Sequence, residues 1–200
     1  MPRNLAASRE AILDAAEVAF ADRGYEGASL QQIATAAGVS RGMPSYAFSS
    51  KERLYEAVLE RAFAAPTALA REGRAPGGGD PRAVLAGLVG SYLDFLAARP
   101  TYVRLLQRAA LEDGERLGRA AAHLDALAQG VDALVELLGA ADLRPVDPAQ
   151  LFVSIVALCF FPLAHQATLL GPLGFDSHDP AFLAARKAHV VDLLLDGLAP

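Results

Sequence analysis

Alanine and leucine dominate this chain, and their excess constrains its fold more than any other feature. Ala occurs 42 times and Leu 31 times among 200 residues, whereas Val, Ile and Thr together occur 20 times. Ala and Leu lose little side-chain freedom in a helix, while β-branched residues favour strands. We therefore expect an all-α protein and exclude a β-sandwich or a β-barrel.

Residues that start or stop helices divide the chain into about nine helical segments. Ser8 and Ser40 are predicted N-caps, and Ser29-x-x-Gln32 and Ser49-x-x-Glu52 fit capping boxes. The predicted helices cover residues 8–23, 29–37, 40–48, 49–66, 81–98, 101–111, 115–138, 148–170 and 180–196. Pro66 is expected to kink or end the fourth of them.

Three of the later helices share one start signal. Asp80-Pro81, Asp147-Pro148 and Asp179-Pro180 each place an Asp at the N-cap and a Pro at the first helical position. The glycine-rich segment at residues 73–81 is the clearest loop.

Composition excludes several classes of protein. The chain is 53% hydrophobic and 20% charged, which excludes disorder of the whole chain. Its single cysteine, Cys159, excludes a disulfide scaffold and a cysteine-based zinc site. The formal net charge of −5 means that any nucleic-acid contact must come from a local patch.

The stretch at residues 148–175 contains no Asp, Glu, Lys or Arg. Pro162, His165, Gln166 and the pair Gly171-Pro172 interrupt it, and no Lys or Arg flanks it closely. We therefore predict a helix buried in protein rather than one in lipid, and no membrane partner. The first residues show no targeting signal, because charges interrupt every apolar run there.

The segment at residues 29–52 carries the functional signal. It predicts two short helices joined by a turn that contains Gly38, which is the pattern of a helix-turn-helix. Ala34 allows close approach of the two helices, and Gly38 permits a turn conformation that larger residues resist. The second helix of such a motif enters the major groove of DNA.

The same segment, with its flanks, resembles the tetracycline-repressor (TetR) family of bacterial regulators. The resemblance covers residues 8–63 and includes Ser-Leu-x-x-Ile-Ala, Ala-Gly-Val-Ser-Arg-Gly and Tyr-x-Phe-x-Ser-Lys-Glu-x-Leu. Pro44 and Ala47 depart from the family, which often has a helix former at the first position and an aromatic residue at the second. Beyond residue 63 the resemblance is one of architecture, and it implies a larger helical domain that forms dimers and binds ligands.

We predict a DNA-binding domain at residues 1–52 and an effector-binding and dimerisation domain at residues 53–200. Residues 40–53 carry a net charge of +2, which suits a small set of phosphate contacts. Ser40, Tyr46, Lys51 and the amide groups after Ser49 are predicted to hold phosphates. Arg41, Met43 and Ser45 are predicted to reach base edges, and Gly42 completes the predicted DNA-binding set.

The C-terminal part contains the predicted effector and dimer sites. A pocket with apolar walls and a few polar groups is predicted to be lined by Tyr92, Phe95, Tyr102, Leu106, His123, Phe160 and His165. Such residues are also ordinary members of a core. In the family that the chain resembles, the last two long helices pair across a two-fold axis, which implies a homodimer.

Enzyme signatures are absent from the sequence: it has no Gly-x-Ser-x-Gly, no His-Glu-x-x-His and no phosphate loop. We therefore expect no catalytic residue and no cofactor. We also expect no metal, because Asp179 of the Asp-Ser-His-Asp run already serves as an N-cap. The prediction is a cytoplasmic, ligand-responsive repressor that binds a palindromic operator as a homodimer. The alternative is a helical small-molecule carrier or enzyme whose helix-turn-helix no longer binds DNA.

Overall fold

A computed structural model describes residues 5–72, 80–140 and 143–198. These residues form nine α-helices and no strand: α1 (Leu5–Gly27), α2 (Leu30–Ala36), α3 (Met43–Phe48), α4 (Lys51–Glu72), α5 (Pro81–Ala98), α6 (Pro100–Arg119), α7 (Ala121–Ala140), α8 (Pro148–Ala164) and α9 (Pro180–Leu198). A π-helical turn, Gln166–Leu170, and a 3-10 turn, Gly171–Leu173, follow α8. The all-α prediction is confirmed, while most of the loop predicted at residues 73–81 lies outside the described residues.

The predicted Asp-Pro helix starts are confirmed by their hydrogen bonds. Oδ1 of each Asp accepts from a backbone N–H two residues later: 3.2 Å for Asp80, 2.8 Å for Asp147 and 3.0 Å for Asp179. Each bond satisfies one of the N–H groups that a helix start leaves without an intrahelical partner.

Three serine caps differ from the prediction. Ser8 is buried inside α1, which already begins at Leu5. The N-cap of α3 is Gly42 rather than Ser40, and no side chain caps it. Ser49 has a φ of 67°, so it ends α3 and cannot take the extended backbone of an N-cap. Oγ of Ser50 instead accepts from the N–H of Arg53 at 3.1 Å.

Several predicted helix ends also differ. α4 continues through Pro66 to Glu72, and α6 runs without a break across the gap expected between residues 111 and 115. α8 ends at Ala164, because His165 leaves helical geometry with a ψ of 35°. Packing of long apolar faces therefore outweighs the local helix breakers in α4 and α6.

The described residues group into two compact units. The first unit comprises the described part of Met1–Phe63 together with Thr101–Leu124. Its core buries Ile12 and Phe20 of α1 beside Leu54 and Val58 of α4. The Phe20 ring meets the Tyr55 ring edge-on, with centroids 4.9 Å apart. α1 and α4 thus supply an apolar support for α2 and α3.

Polar contacts fasten α1 to α4 and α6 within the first unit. Arg61 of α4 donates to Asp14 at 2.7 Å and to Glu17 at 2.8 Å, both on α1. Burial lowers the pKa of Arg61, but its bonds to these carboxylates outweigh that effect and raise it. The carboxylate of Glu112 on α6 accepts from the N–H of Tyr25 at 2.8 Å.

Gly24 makes that last contact possible. A Cβ at Gly24 would lie 1.8 Å from Oε1 of Glu112, and the φ of Gly24 is 72°, which side-chain-bearing residues rarely adopt. This conformation kinks the chain, which adds one more turn before α1 ends at Gly27.

The second unit comprises Ala64–Pro100 and the described part of Asp125–Pro200. Its core brings Leu85, Val89 and Leu93 of α5 together with Val190 and Val191 of α9, all of them buried. Lys187 of α9 donates to Asp94 of α5 at 2.6 Å, and Arg82 of α5 pairs with Asp192 of α9.

Pro162 lies inside α8 and lacks the N–H that would donate to the carbonyl oxygen of Leu158. Nη2 of Arg186 on α9 donates to that oxygen at 2.7 Å. A side chain from α9 therefore satisfies a backbone group that the proline leaves unpaired.

No single helix among the described residues is long and apolar enough to cross a membrane. By length and composition alone, α8 together with the two turns after it would be sufficient, but the chain bends by 74° between them. The described residues contain no group of three or more His, Cys, Asp or Glu side chains that could hold a metal ion.

Candidate nucleic-acid interface

The predicted capping box at the start of α2 is confirmed. Oγ of Ser29 accepts from the N–H of Gln32 at 3.2 Å, and Oε1 of Gln32 accepts from the N–H of Ser29 at 3.3 Å. Side chain and backbone thereby satisfy each other over four residues, which fixes where α2 begins.

The end of α2 is closed by hydrogen bonds of the Schellman pattern. The N–H of Val39 donates to the carbonyl oxygen of Ala34 at 3.0 Å, and the N–H of Gly38 donates to that of Thr35 at 3.1 Å. Gly38 has a φ of 65°, as the sequence predicts for this turn. The side chain of Ala34 is buried where the turn closes over it.

α3 follows this turn and has one buried and one exposed face. Pro44 in its first turn and Phe48 in its last turn are both buried. The departure from the family at Pro44 is thus accommodated, because an N–H in the first helical turn has no intrahelical partner to lose. Tyr46 points outward, with 76% of its surface exposed.

Most of the predicted DNA-binding residues lie on the exposed side of this segment. The exposed members are Ser40, Arg41, Gly42, Ser45 and Tyr46. Met43 is half-buried, and it begins the helix that carries Ser45 and Tyr46. A short helix with an exposed N-terminal end can enter a groove of DNA, and its residue types suit both base edges and phosphates.

Lys51, the predicted phosphate contact at the start of α4, is half-buried. Its Nζ donates to the carbonyl oxygen of Glu26 at 3.3 Å and lies 4.5 Å from the centre of the Tyr25 ring. Its ammonium group is therefore held at the end of α1, and its contact with DNA stays a prediction.

The local positive patch is smaller than the sequence count suggests. Arg53, one of three basic residues counted at 40–53, pairs with Glu56 at 2.9 Å. That pair is exposed and therefore weak, but it reduces the field that Arg53 adds near α3.

Arg9 contacts the predicted interface although sequence reasoning did not identify it. Nη1 of Arg9 donates to the carbonyl oxygen of Ala47 at 2.8 Å, and its guanidinium carbon lies 4.0 Å from the centre of the Phe48 ring. The two residues that share the hydrogen bond are 38 positions apart, and no local pattern links them.

The predicted effector-pocket residues divide between the two units. Tyr102, Leu106 and His123 belong to the first unit, where the rings of Tyr102 and His123 lie 6.1 and 4.7 Å from that of Phe63. Nδ1 of His123 is buried and has no hydrogen-bond partner among the described residues. Burial lowers the pKa of His123, which favours the neutral imidazole.

Tyr92, Phe95, Phe160 and His165 belong to the second unit. Burial raises the pKa of Tyr92, so its phenol stays protonated. Nδ1 of His165 donates to the carbonyl oxygen of Phe161 at 2.9 Å, which closes the end of α8. Phe95 lines a groove of about 510 Å³ with Ala65, Ala68, Leu69, Ser91 and Asp94. The other three do not line this groove, and the pocket stays a prediction.

Cys159 of the second unit is an unreactive core residue. It is fully buried, and burial raises the pKa of its thiol to about 12 even though the positive charge of Arg186 lowers it. A thiol that stays protonated at neutral pH is a poor nucleophile.

Comparison with known proteins assigns both parts of the chain. Residues 12–58 match the family model "Bacterial regulatory proteins, tetR family", and residues 81–194 match "Tetracyclin repressor-like, C-terminal domain". The alignments therefore include the helix-turn-helix as well as α5 to α8 and most of α9. Both descriptions concern transcriptional regulators rather than enzymes.

Full-length relatives give the same assignment. The transcriptional repressor NicS of Pseudomonas putida is 29% identical, covering 96% of this chain and 92% of NicS. The transcriptional regulator RutR of Escherichia coli K12 is 30% identical, covering 99% of this chain and 93% of RutR. The crystal structure of SCO4942 from Streptomyces coelicolor, a protein assigned as a transcriptional regulator, is 28% identical with a TM-score of 0.72, covering 96% and 98% of the two chains.

Proposed function

Since the chain belongs to the TetR family of bacterial regulatory proteins, we propose that it is a ligand-responsive repressor that binds operator DNA through α3. The observation that carries this proposal is the exposed N-terminal side of α3, presented by a capped α2 and a Schellman turn. Its place of action is the cytoplasm, where the DNA of a bacterium lies.

In this proposal α3 enters the major groove. Arg41, Met43 and Ser45 read base edges, while Ser40, Tyr46, Lys51 and the N-terminal amides of α4 hold phosphates. Gly42 carries no side chain, so the backbone there can pass close to the DNA. Within the described protein, a Cβ at Gly42 would meet open space. Few phosphate contacts mean a modest dependence of binding on salt.

A homodimer supplies the second α3 one turn of the duplex away, so the operator is palindromic. We assign the dimer contact to the outward faces of α8 and α9. Val153 and Phe161 of α8 are 60% and 51% exposed, and Leu193 of α9 is 49% exposed. Val191 and Leu194, by contrast, face the core of the second unit and are not free to meet a partner.

The effector is a neutral or weakly charged apolar molecule, and Tyr102 and His123 of the first unit are proposed to hold it. Neutral His123, with its unpartnered Nδ1, supports a polar contact to such a ligand. An effector releases the operator only if it binds the DNA-incompetent arrangement more tightly than the competent one. α4 is the proposed transmitter, because it begins beside α3 and continues to Glu72.

The test begins with selection of duplexes from a random-sequence library by the wild-type protein, followed by titration of the selected duplex. We expect a palindromic site bound by a dimer, and Lys51→Ala is expected to reduce the salt dependence by about one unit of slope. Arg41→Ala and Met43→Ala should instead change which bases are selected.

The effector is then sought by a thermal-shift screen of small molecules, and each hit is added to the operator complex. A hit that binds equally well with and without operator is not the effector. If the wild-type protein selects no sequence at all, the alternative of a carrier or enzyme with an inactive helix-turn-helix replaces the repressor.

A further inference from the structure

The recognition helix α3 has little internal support. It contains six residues, Met43–Phe48, and no side chain caps its start. Helices of this length are unstable on their own, since a helical nucleus is costly to form. The angle at which α3 meets DNA must therefore be determined by groups outside it.

One such group acts on the C-terminal end of α3. The last carbonyl groups of a helix lack intrahelical partners. Two of them are satisfied locally. The carbonyl of Ser45 accepts from the N–H of Ser49 at 2.8 Å, and the carbonyl of Phe48 accepts from the N–H of Ser50 at 2.8 Å. The carbonyl of Ala47 accepts from Nη1 of Arg9 on α1, also at 2.8 Å.

The same guanidinium makes a second contact with α3. Its central carbon lies 4.0 Å from the centre of the Phe48 ring, a cation–π distance. A positive charge at a helix C-terminus also interacts favourably with the helix dipole. Arg9 thus holds α3 by a hydrogen bond, a ring contact and a charge, all at the end opposite to Arg41 and Met43.

We propose that Arg9 is a positioning residue for DNA recognition: it fixes the orientation of α3 and thereby the selection of operator sequence, without itself contacting a base. This inference rests on the proposed function, because it assumes that α3 reads DNA. It differs from a phosphate contact, which would contribute equally to binding of every sequence.

The experiment compares Arg9→Ala with Arg9→Lys and Arg9→Gln. The Lys variant keeps the charge, and the Gln variant keeps a neutral donor. Arg23→Ala is the matched control, since it removes an exposed arginine from the same helix. Each protein is titrated with the duplex that the wild type selects and with a scrambled duplex, at several salt concentrations, and its thermal unfolding is followed by circular dichroism.

We expect Arg9→Ala to bind the selected duplex about tenfold more weakly, the lower end of what a hydrogen bond to a charged group contributes, because Arg9 is exposed. Binding to the scrambled duplex and the salt slope should match those of Arg23→Ala. Arg9→Lys should recover most of the discrimination between the two duplexes, and Arg9→Gln should recover less.

Three results would overturn the positioning role. The first is an equal loss on both duplexes with a salt slope about one unit smaller than that of Arg23→Ala, which identifies a phosphate contact. The second is unchanged discrimination in Arg9→Ala. The third is failure of all three Arg9 variants to fold, which assigns Arg9 to stability of the whole unit. A wild-type protein that selects no duplex contradicts the proposed function instead.

Discussion

The α2 turn and the end of α8 both satisfy backbone groups that lack a helical partner, one by local hydrogen bonds and the other by a distant side chain. In the segment from Ser29 to Val39, both ends of α2 are closed by groups at most five residues away. In α8, the carbonyl that Pro162 leaves unpaired is satisfied by Arg186, which lies 28 residues beyond Leu158 in the sequence.

This difference separates a locally encoded element from one that depends on tertiary contacts. The hydrogen bonds that close α2 all join residues of its own segment, so its motif can be recognised in the sequence. The end of α8 is stable only while α9 is packed against it. Substitutions in the two regions should therefore differ in what they damage, and four predictions test this, from the largest expected effect to the smallest.

The largest effect is expected on α9, where neighbouring residues face in opposite directions. Val191 is 4% exposed and Leu193 is 49% exposed. Val191→Asp buries an unpaired charge, so it should cost several kcal/mol and abolish cooperative unfolding. Leu193→Asp should keep the fold and give a monomer by light scattering. A dimeric Leu193→Asp protein would show that this face of α9 is not the dimer contact.

The next effect concerns the glycine of the α2 turn. Gly38→Val forces a β-branched residue to a φ of 65°, which should cost about 1–2 kcal/mol and eliminate selection of operator sequence. Gly87→Ala in α5 is the control, because a Cβ there meets open space and should stabilise the helix by about 0.5–1 kcal/mol. Urea denaturation measures both changes. A Gly38→Val protein with wild-type stability and selectivity would contradict the local role of this turn.

A double-mutant cycle tests the dependence of α8 on α9. Arg186→Met leaves the carbonyl of Leu158 without its donor and should cost about 1 kcal/mol, the net contribution of one partly buried hydrogen bond. Pro162→Ala restores a backbone N–H four residues after Leu158, so Arg186→Met should cost less in that background. Additive losses in chemical denaturation would mean that Arg186 stabilises the second unit by another contact.

The smallest effect is a pH dependence from His123. Burial lowers its pKa in the folded state below the ordinary value of 6.5, so the unfolded chain binds the proton first. This contribution to stability is present above pH 6.5 and is lost as the pH falls through the folded-state pKa. His123→Leu should lose less stability than the wild type between pH 7.5 and pH 5. Equal losses in the two proteins would show that His123 does not titrate differently on folding.

Local signals could be read correctly where both partners lie within a few residues. The capping box of Ser29, the positive φ of Gly38 and the three Asp-Pro starts belong to this class. Ser49 was the wrong choice because Ser50 is an equally good cap by type, and only the backbone conformation distinguishes them. Ser8 was wrong because packing of α1 extends the helix beyond the first suitable cap.

The residues of the two candidate sites could be predicted from the sequence to different extents. The predicted DNA-binding residues follow one another along the chain, so a motif could name them, and most are exposed on one short segment. The pocket residues are spread from Tyr92 to His165 and fall in two units, so their grouping could not be derived from helical spacing. Residue type alone did not distinguish His165, which bonds its own helix, from His123, whose Nδ1 is unpartnered.

The sequence by itself determined the helical class, the helix-turn-helix and the family, because composition, caps and turns act over one or two helical turns. Only the tertiary structure decided that Arg9 holds the end of α3, that Glu112 meets Tyr25 at Gly24 and that Arg186 completes α8. Each of these bonds joins residues between 28 and 87 positions apart. Such contacts exist only after the helices pack, because closing a long loop costs entropy that the buried apolar surface must offset.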